Sequence, residues 1–129
     1  MNVHTDANAV PSLDGTELGD RLDDLAGVHA GIDLIRDGIR LLALDRLTVD
    51  QTQTAVVTLA GSPDGTDVLT AIGHLVARLT NADSNPALRT LDLTAQKTTQ
   101  LHGELLIHHL GDPDLHQHAS NASGAIHTD

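Results

Sequence analysis

A chain of 129 residues with 40% apolar residues is enough for one small core, and with no Phe, Tyr or Trp that core has to be aliphatic. The missing rings remove the stacking platforms used for sugars and single-stranded nucleic acid. A net charge of −11 against seven Lys and Arg speaks against a nucleic-acid partner. Without cysteine there can be no disulfide, thiolate zinc site or iron–sulfur cluster. No basic and apolar leader stands at the start, and no apolar run reaches membrane-span length. The expectation is a cytoplasmic protein with no membrane partner.

Segment 1–15 is polar and aperiodic, and Asp14-Gly15 reads as a turn, so a disordered N-terminal segment is expected there. From Thr16 onward the apolar residues Leu18, Leu22, Leu25, Val28, Ile32, Ile35, Ile39 and Leu42 recur three or four apart. That spacing predicts one long helix over 16–46. Beside this stripe runs a second, with Gly27, Ala30, Gly31, Leu34, Gly38 and Leu41. Each glycine costs on the order of 1 kcal/mol in a helix interior. Three of them on one line suggest that another backbone comes close, so Gly27, Gly31, Leu34, Gly38 and Leu41 are the candidate helix-packing or dimer interface. His29, Asp33, Arg36, Asp37 and Arg40 fall on the face expected to be wet.

Thr48-Val49-Asp50-Gln51 has the form of a capping box and places a second helix at 49–60. The β-branched run around Val56 and Val57 allows a short strand instead, but no second strand-like segment is present to pair with it. A third helix is expected over 64–81, with Val68, Leu69, Ile72, Leu75, Val76 and Leu79 on one face. Asn85-Pro86 is a start signal and Gly111 followed by Pro113 a stop, giving a fourth helix over 86–110. Beyond it the period is lost, so 112–129 is expected to be a flexible, His-rich tail. The fold class is therefore all-α, an up-and-down bundle of about four helices over 16–111.

Nine histidines invite a search for chemistry. Imidazole is the commonest metal ligand, and His108, His109, His116 and His118 would close round zinc or nickel if the tail folded back. The spacing matches no metal motif. His102 and His109 sit where apolar residues belong, so with His29 they make a possible pH-sensitive seam. No phosphotransfer pattern is present: His102 is followed by Gly103 and Glu104, and Lys97, the one lysine, precedes it. No nucleophile motif, paired glutamates or phosphate loop occurs either, so the chain is not expected to be an enzyme. A non-catalytic interaction module is expected, self-associating as a homodimer and binding an unidentified protein through its acidic faces. The alternatives are a metal- or pH-responsive regulator using the late histidines, or an acidic decoy of nucleic acid.

Overall fold

The computed structural model describes residues 9–62 and 64–126, and among these every regular element is helical. The all-α bundle expected from the periodicity is the fold that forms. The chain divides into two compact units, Met1–Leu47 and Thr48–Asp129.

The first unit holds α1 (Glu17–Asp24) and α2 (Ala30–Leu44). Asp14-Gly15 forms the expected turn, with Gly15 at a φ of 75°, and Thr16 caps α1 by accepting the Gly19 N–H. The long rod expected over 16–46 is broken at residues 25–29. Gly27 sits there at a φ of 80°, a left-handed conformation that glycine alone adopts without strain. Its N–H donates to the Asp33 carboxylate at 3.0 Å. His29 then caps α2, its Nδ1 accepting the Gly31 N–H at 2.8 Å. Two satisfied helix ends replace a continuous run, and Gly27 serves as a break, not as a packing notch. Arg40 on α2 reaches Asp23 on α1 at 3.4 Å. Leu22 is the large apolar side chain buried among the described residues, at 2% exposure.

The second unit is built from α3 (Val49–Ala60), α4 (Val68–Leu79), a 3-10 turn (Pro86–Thr90), α5 (Leu93–Leu110) and α6 (Pro113–Ala125). The capping box predicted for α3 is complete: Thr48 Oγ1 accepts the Gln51 N–H at 3.1 Å, and Gln51 Oε1 accepts the Thr48 N–H at 3.0 Å. Helix, not strand, is the outcome there. α4 begins later than expected, because Asp67 is its cap. Asn85-Pro86 does start a helical turn, but the turn is 3-10 and ends at Thr90. Leu91 is extended, and Asp92 caps a fresh start for α5.

α4 packs on α5, α3 on α6, and α3 also touches α4. The closest crossings fall at glycines whose role the apolar pattern did not single out. A Cβ on Gly103 would stand 3.2 Å from the Ala77 Cα and collide with Thr80. One on Gly73 would stand 3.2 Å from Leu110 Cδ1, and one on Gly61 2.9 Å from the Ser120 N. Gly73 faces Ile107 and Leu110 while Gly103 faces Ala77 and Thr80, so α4 and α5 run antiparallel.

Part of the segment expected as a flexible tail, 112–129, has regular structure. Pro113–Ala125 is a helix, capped by Asp112 and lying along α3. Its period is weak because its attachment is polar: Gln53 Nε2 donates to the Ser123 carbonyl at 3.0 Å, and Ser123 Oγ donates to the Gln53 carbonyl at 3.1 Å. Apolar periodicity cannot reveal a helix held this way. Residues 1–8 and 127–129 lie outside the described part, so the expectations of disorder placed on them are not addressed.

Candidate functional site

Two arrangements stand out, one in each unit. The first is the outer face of α2. Leu34, Gly38 and Leu41 follow one another at helical spacing, with Ile35 and Leu42 beside them. Leu34 and Leu41 are 73% and 69% exposed, and no residue of α2 is buried. The half-buried side of the helix carries Ile32 and Ile39 together with Arg36 and Arg40. So the usual order is reversed: both arginines are on the more covered side and the larger apolar stripe faces outward. Asp37 is the charged residue on the outward face, held by Arg36 at 3.3 Å.

The candidate interface residues are thus only partly brought together. Leu34, Gly38 and Leu41 share a face. Gly31 lies in the first turn of α2 and a Cβ there would meet its own neighbour, the His29 ring, at 3.2 Å. Gly27 is in the break. Within its own unit, no described residue outside the helix lies within 4 Å of a Cβ built on Gly38 or Gly27.

The second arrangement is a corner of the second unit, centred on His116. The side chain is 8% exposed and reaches three acceptors. Nδ1 lies 2.6 Å from the Ala60 carbonyl and 2.8 Å from Asp67 Oδ2, whose side chain is fully buried. Nε2 contacts the Leu110 carbonyl. Ala60 and Leu110 are the last residues of α3 and α5. Their carbonyls have no partner within the helix and mark the negative end of its dipole. One imidazole thus caps two helices. Asp67 is equally occupied, with Oδ1 accepting the Thr70 N–H at 2.8 Å and Oδ2 the Ser62 N–H at 3.2 Å.

The ring's protonation state follows from these partners. A neutral imidazole carries one N–H. Either the Leu110 oxygen or the Ala60 and Asp67 oxygens would then face a bare nitrogen lone pair. Only the imidazolium satisfies every acceptor. The His116 pKa is accordingly raised, first by the Leu110 carbonyl and then, against the effect of burial, by Ala60 and Asp67. Burial opposes ionisation of Asp67, but hydrogen bonds from Thr70 and Ser62 and the charge of His116 together hold its carboxyl below the ordinary range.

The other histidines are placed differently from expectation. His108 and His109 are exposed on α5, their ring centres 6.2 Å apart edge to face, and His118 is exposed on α6. With both His116 nitrogens already engaged, the four do not gather. Among the described residues no group of three or more His, Cys, Asp or Glu is placed to hold a metal ion. The seam expected from His29, His102 and His109 is not buried, since all three are exposed. His29 is a helix cap.

The pair His116–Asp67 escaped the sequence. Its one legible half was Asp67, a capping residue directly before the apolar run of α4, three positions ahead of Thr70. The other half depends on a 49-residue separation that no periodicity reports. Among the described residues no helix is long and apolar enough to cross a membrane. Compared with known proteins, the chain matches no family model, no curated protein and no solved structure.

Proposed function

We propose that this chain is a non-catalytic helical interaction module that pairs with a second copy of itself through the outer face of α2. The observation that carries this is the inverted exposure of α2, with Leu34 and Leu41 73% and 69% exposed while its more covered side is only half-buried. A leucine side chain moved from water into a packed contact contributes about 1.5–3 kcal/mol. A two-fold pair doubles each contribution, since the same patch meets itself. α2 is about 22 Å long at about 1.5 Å per residue, and Gly38 at its middle lets two backbones approach. The charge pattern favours the same partner. A chain of net charge −11 repels its copies over most of its surface, and this stripe carries one acid already paired with Arg36. The thin monomer core, with Leu22 as its buried large side chain, leaves stability to be gained by association.

Sedimentation equilibrium at micromolar concentration tests it. A dimer is expected, and Leu34→Asp or Leu41→Asp is expected to give a folded monomer, because neither side chain supports its own unit. A wild-type monomer under these conditions, or a dimer indifferent to both substitutions, would overturn the proposal.

A further inference from the structure

The attachment of α6 is polar where the other long contacts of its unit are apolar. Leu115 is its large apolar side chain in the described helix, and it is 46% exposed. What holds α6 down is the His116 corner, the reciprocal Gln53–Ser123 bonds and the close backbone approach of Gly61 to Ser120. Of these, the His116 corner alone depends on a titratable proton.

We propose that His116 is a proton-operated pin: its imidazolium holds α6 on the bundle by bridging the C-terminal ends of α3 and α5 to Asp67, and loss of that proton releases α6. This rests on the second unit alone and does not require the α2 pairing. The surrounding groups favour the bound proton. α3 presents the Ala60 carbonyl, and its one charged residue, Asp50, is at the opposite end. α4 presents Asp67 at its cap, while His74 and Arg78 are exposed on its later turns. In the loop between them, Asp64 is occupied by the hydroxyls of Ser62 and Thr66. α5 presents the Leu110 carbonyl, with His108 and His109 exposed in the same turn. On α6 itself, Asp112 caps the helix through the Asp114 N–H, and Asp114 and His118 are exposed. Asp67 is the one charged group in direct contact.

Deprotonation inverts the corner. One ring nitrogen then turns a lone pair toward carbonyl or carboxylate oxygen, on a side chain that is 8% exposed. Buried acceptors left facing one another carry the full desolvation penalty. α6 brings one large apolar side chain, the half-exposed Leu115, to this contact, so polar bonds carry much of its attachment. It takes with it Pro113, Gln117, Ser120 and Asn121, which wall a groove of about 320 Å³ whose other side is Gly61, Ser62 and Thr70. The groove therefore exists only while the pin is protonated.

The direction follows from the raised pKa. The pin is fully effective below the unfolded histidine value of 6.5 and is lost as pH rises through the higher folded value. Between those two values the opening constant of α6 grows about tenfold per pH unit, one proton being released.

Nitrogen-15 NMR of the histidine rings of the wild-type full chain reads the first half directly. At pH 6.5, the ordinary histidine value, both His116 ring nitrogens are expected to be protonated in most molecules. Hydrogen exchange, corrected for the intrinsic base dependence, reads the second half. Protection of α6 amides should fall with rising pH while α4 and α5 keep theirs. Asp67→Asn, which keeps the capping oxygen but not the charge, should move the His116 transition to lower pH. A His116 ring with one bare nitrogen in most molecules at pH 6.5 would overturn the proposal. So would α6 protection that is flat with pH or falls only together with the rest of the bundle.

Discussion

Glycine means opposite things at different positions of this chain, and the sign of a single methyl group tells them apart. Gly103 lies under Thr80 and Ala77 with no room for a Cβ. Gly103→Ala must therefore push α5 off α4, a strain of about 1–3 kcal/mol in a packed contact, seen as an earlier urea midpoint. Gly38 has open space on its side of α2. In the isolated chain Gly38→Ala should stabilise by up to about 1 kcal/mol from helix propensity. In the paired state the added methyls stand between the two backbones, so the same substitution should weaken association. Sedimentation and dilute-solution melting together read both signs. His29 is a third case, a histidine serving as a cap in an exposed position. His29→Ala should cost about 1 kcal/mol and His29→Asn nearly nothing, measured by thermal unfolding.

At the level of elements, the ends of helices decide more than their faces. α2 exists as a separate helix because Gly27, His29 and Asp33 satisfy the break between it and α1. α3 is fixed as helix by the Thr48–Gln51 box despite its β-branched content, and Thr48→Ala should cost about 1 kcal/mol. α6 depends on the His116 corner. His116→Ala leaves Asp67 its Thr70 and Ser62 donors but uncaps the Ala60 and Leu110 carbonyls, a loss of about 1–3 kcal/mol that should exceed that of any α6 surface substitution. Asp67 works with the opposite sign to His116. Its carboxyl is held low, so its contribution is present above the unfolded value of 3.8 and is lost as pH falls through the lower folded value. The corner is thus whole only between the acid range, where Asp67 protonates, and the alkaline side of 6.5, where His116 lets go. Urea midpoints across pH should trace a dome, and Asp67→Ala should flatten its acid side while also removing the α4 cap.

For the molecule as a whole, the balance between covered and uncovered apolar surface is unusual. Leu22 is buried, while leucines and valines on every helix from α1 to α6 stand more than a third exposed. A small aliphatic chain in this state gains stability from any contact that covers such surface. If pairing through α2 supplies that cover, the melting temperature rises with protein concentration, since association stabilises the folded state by mass action. A melting temperature independent of concentration over the range where sedimentation shows a dimer would mean that pairing does not stabilise the fold.

Local chemistry alone determined a good deal here. The helical class, the Asp14-Gly15 turn, the caps at Thr16 and Thr48, the start at Asn85-Pro86 and the stop at Gly111 are all written within a few residues of where they act. That Leu34, Gly38 and Leu41 share one face of α2 was legible too. What local chemistry could not supply were choices made between distant residues. Whether 16–46 stays continuous turned on Asp33 reaching back to Gly27. Which glycines seat a backbone turned on α4 meeting α5 at Gly73 and Gly103. Above all, His116 looked like one solvated histidine among many. It became a buried, doubly engaged ring only because the last turns of α3 and α5 and the first turn of α4 meet there and leave it two carbonyls and a carboxylate. Periodicity records which side of a helix is apolar, whereas a polar anchor is set by where three chain ends converge, and that is decided by packing.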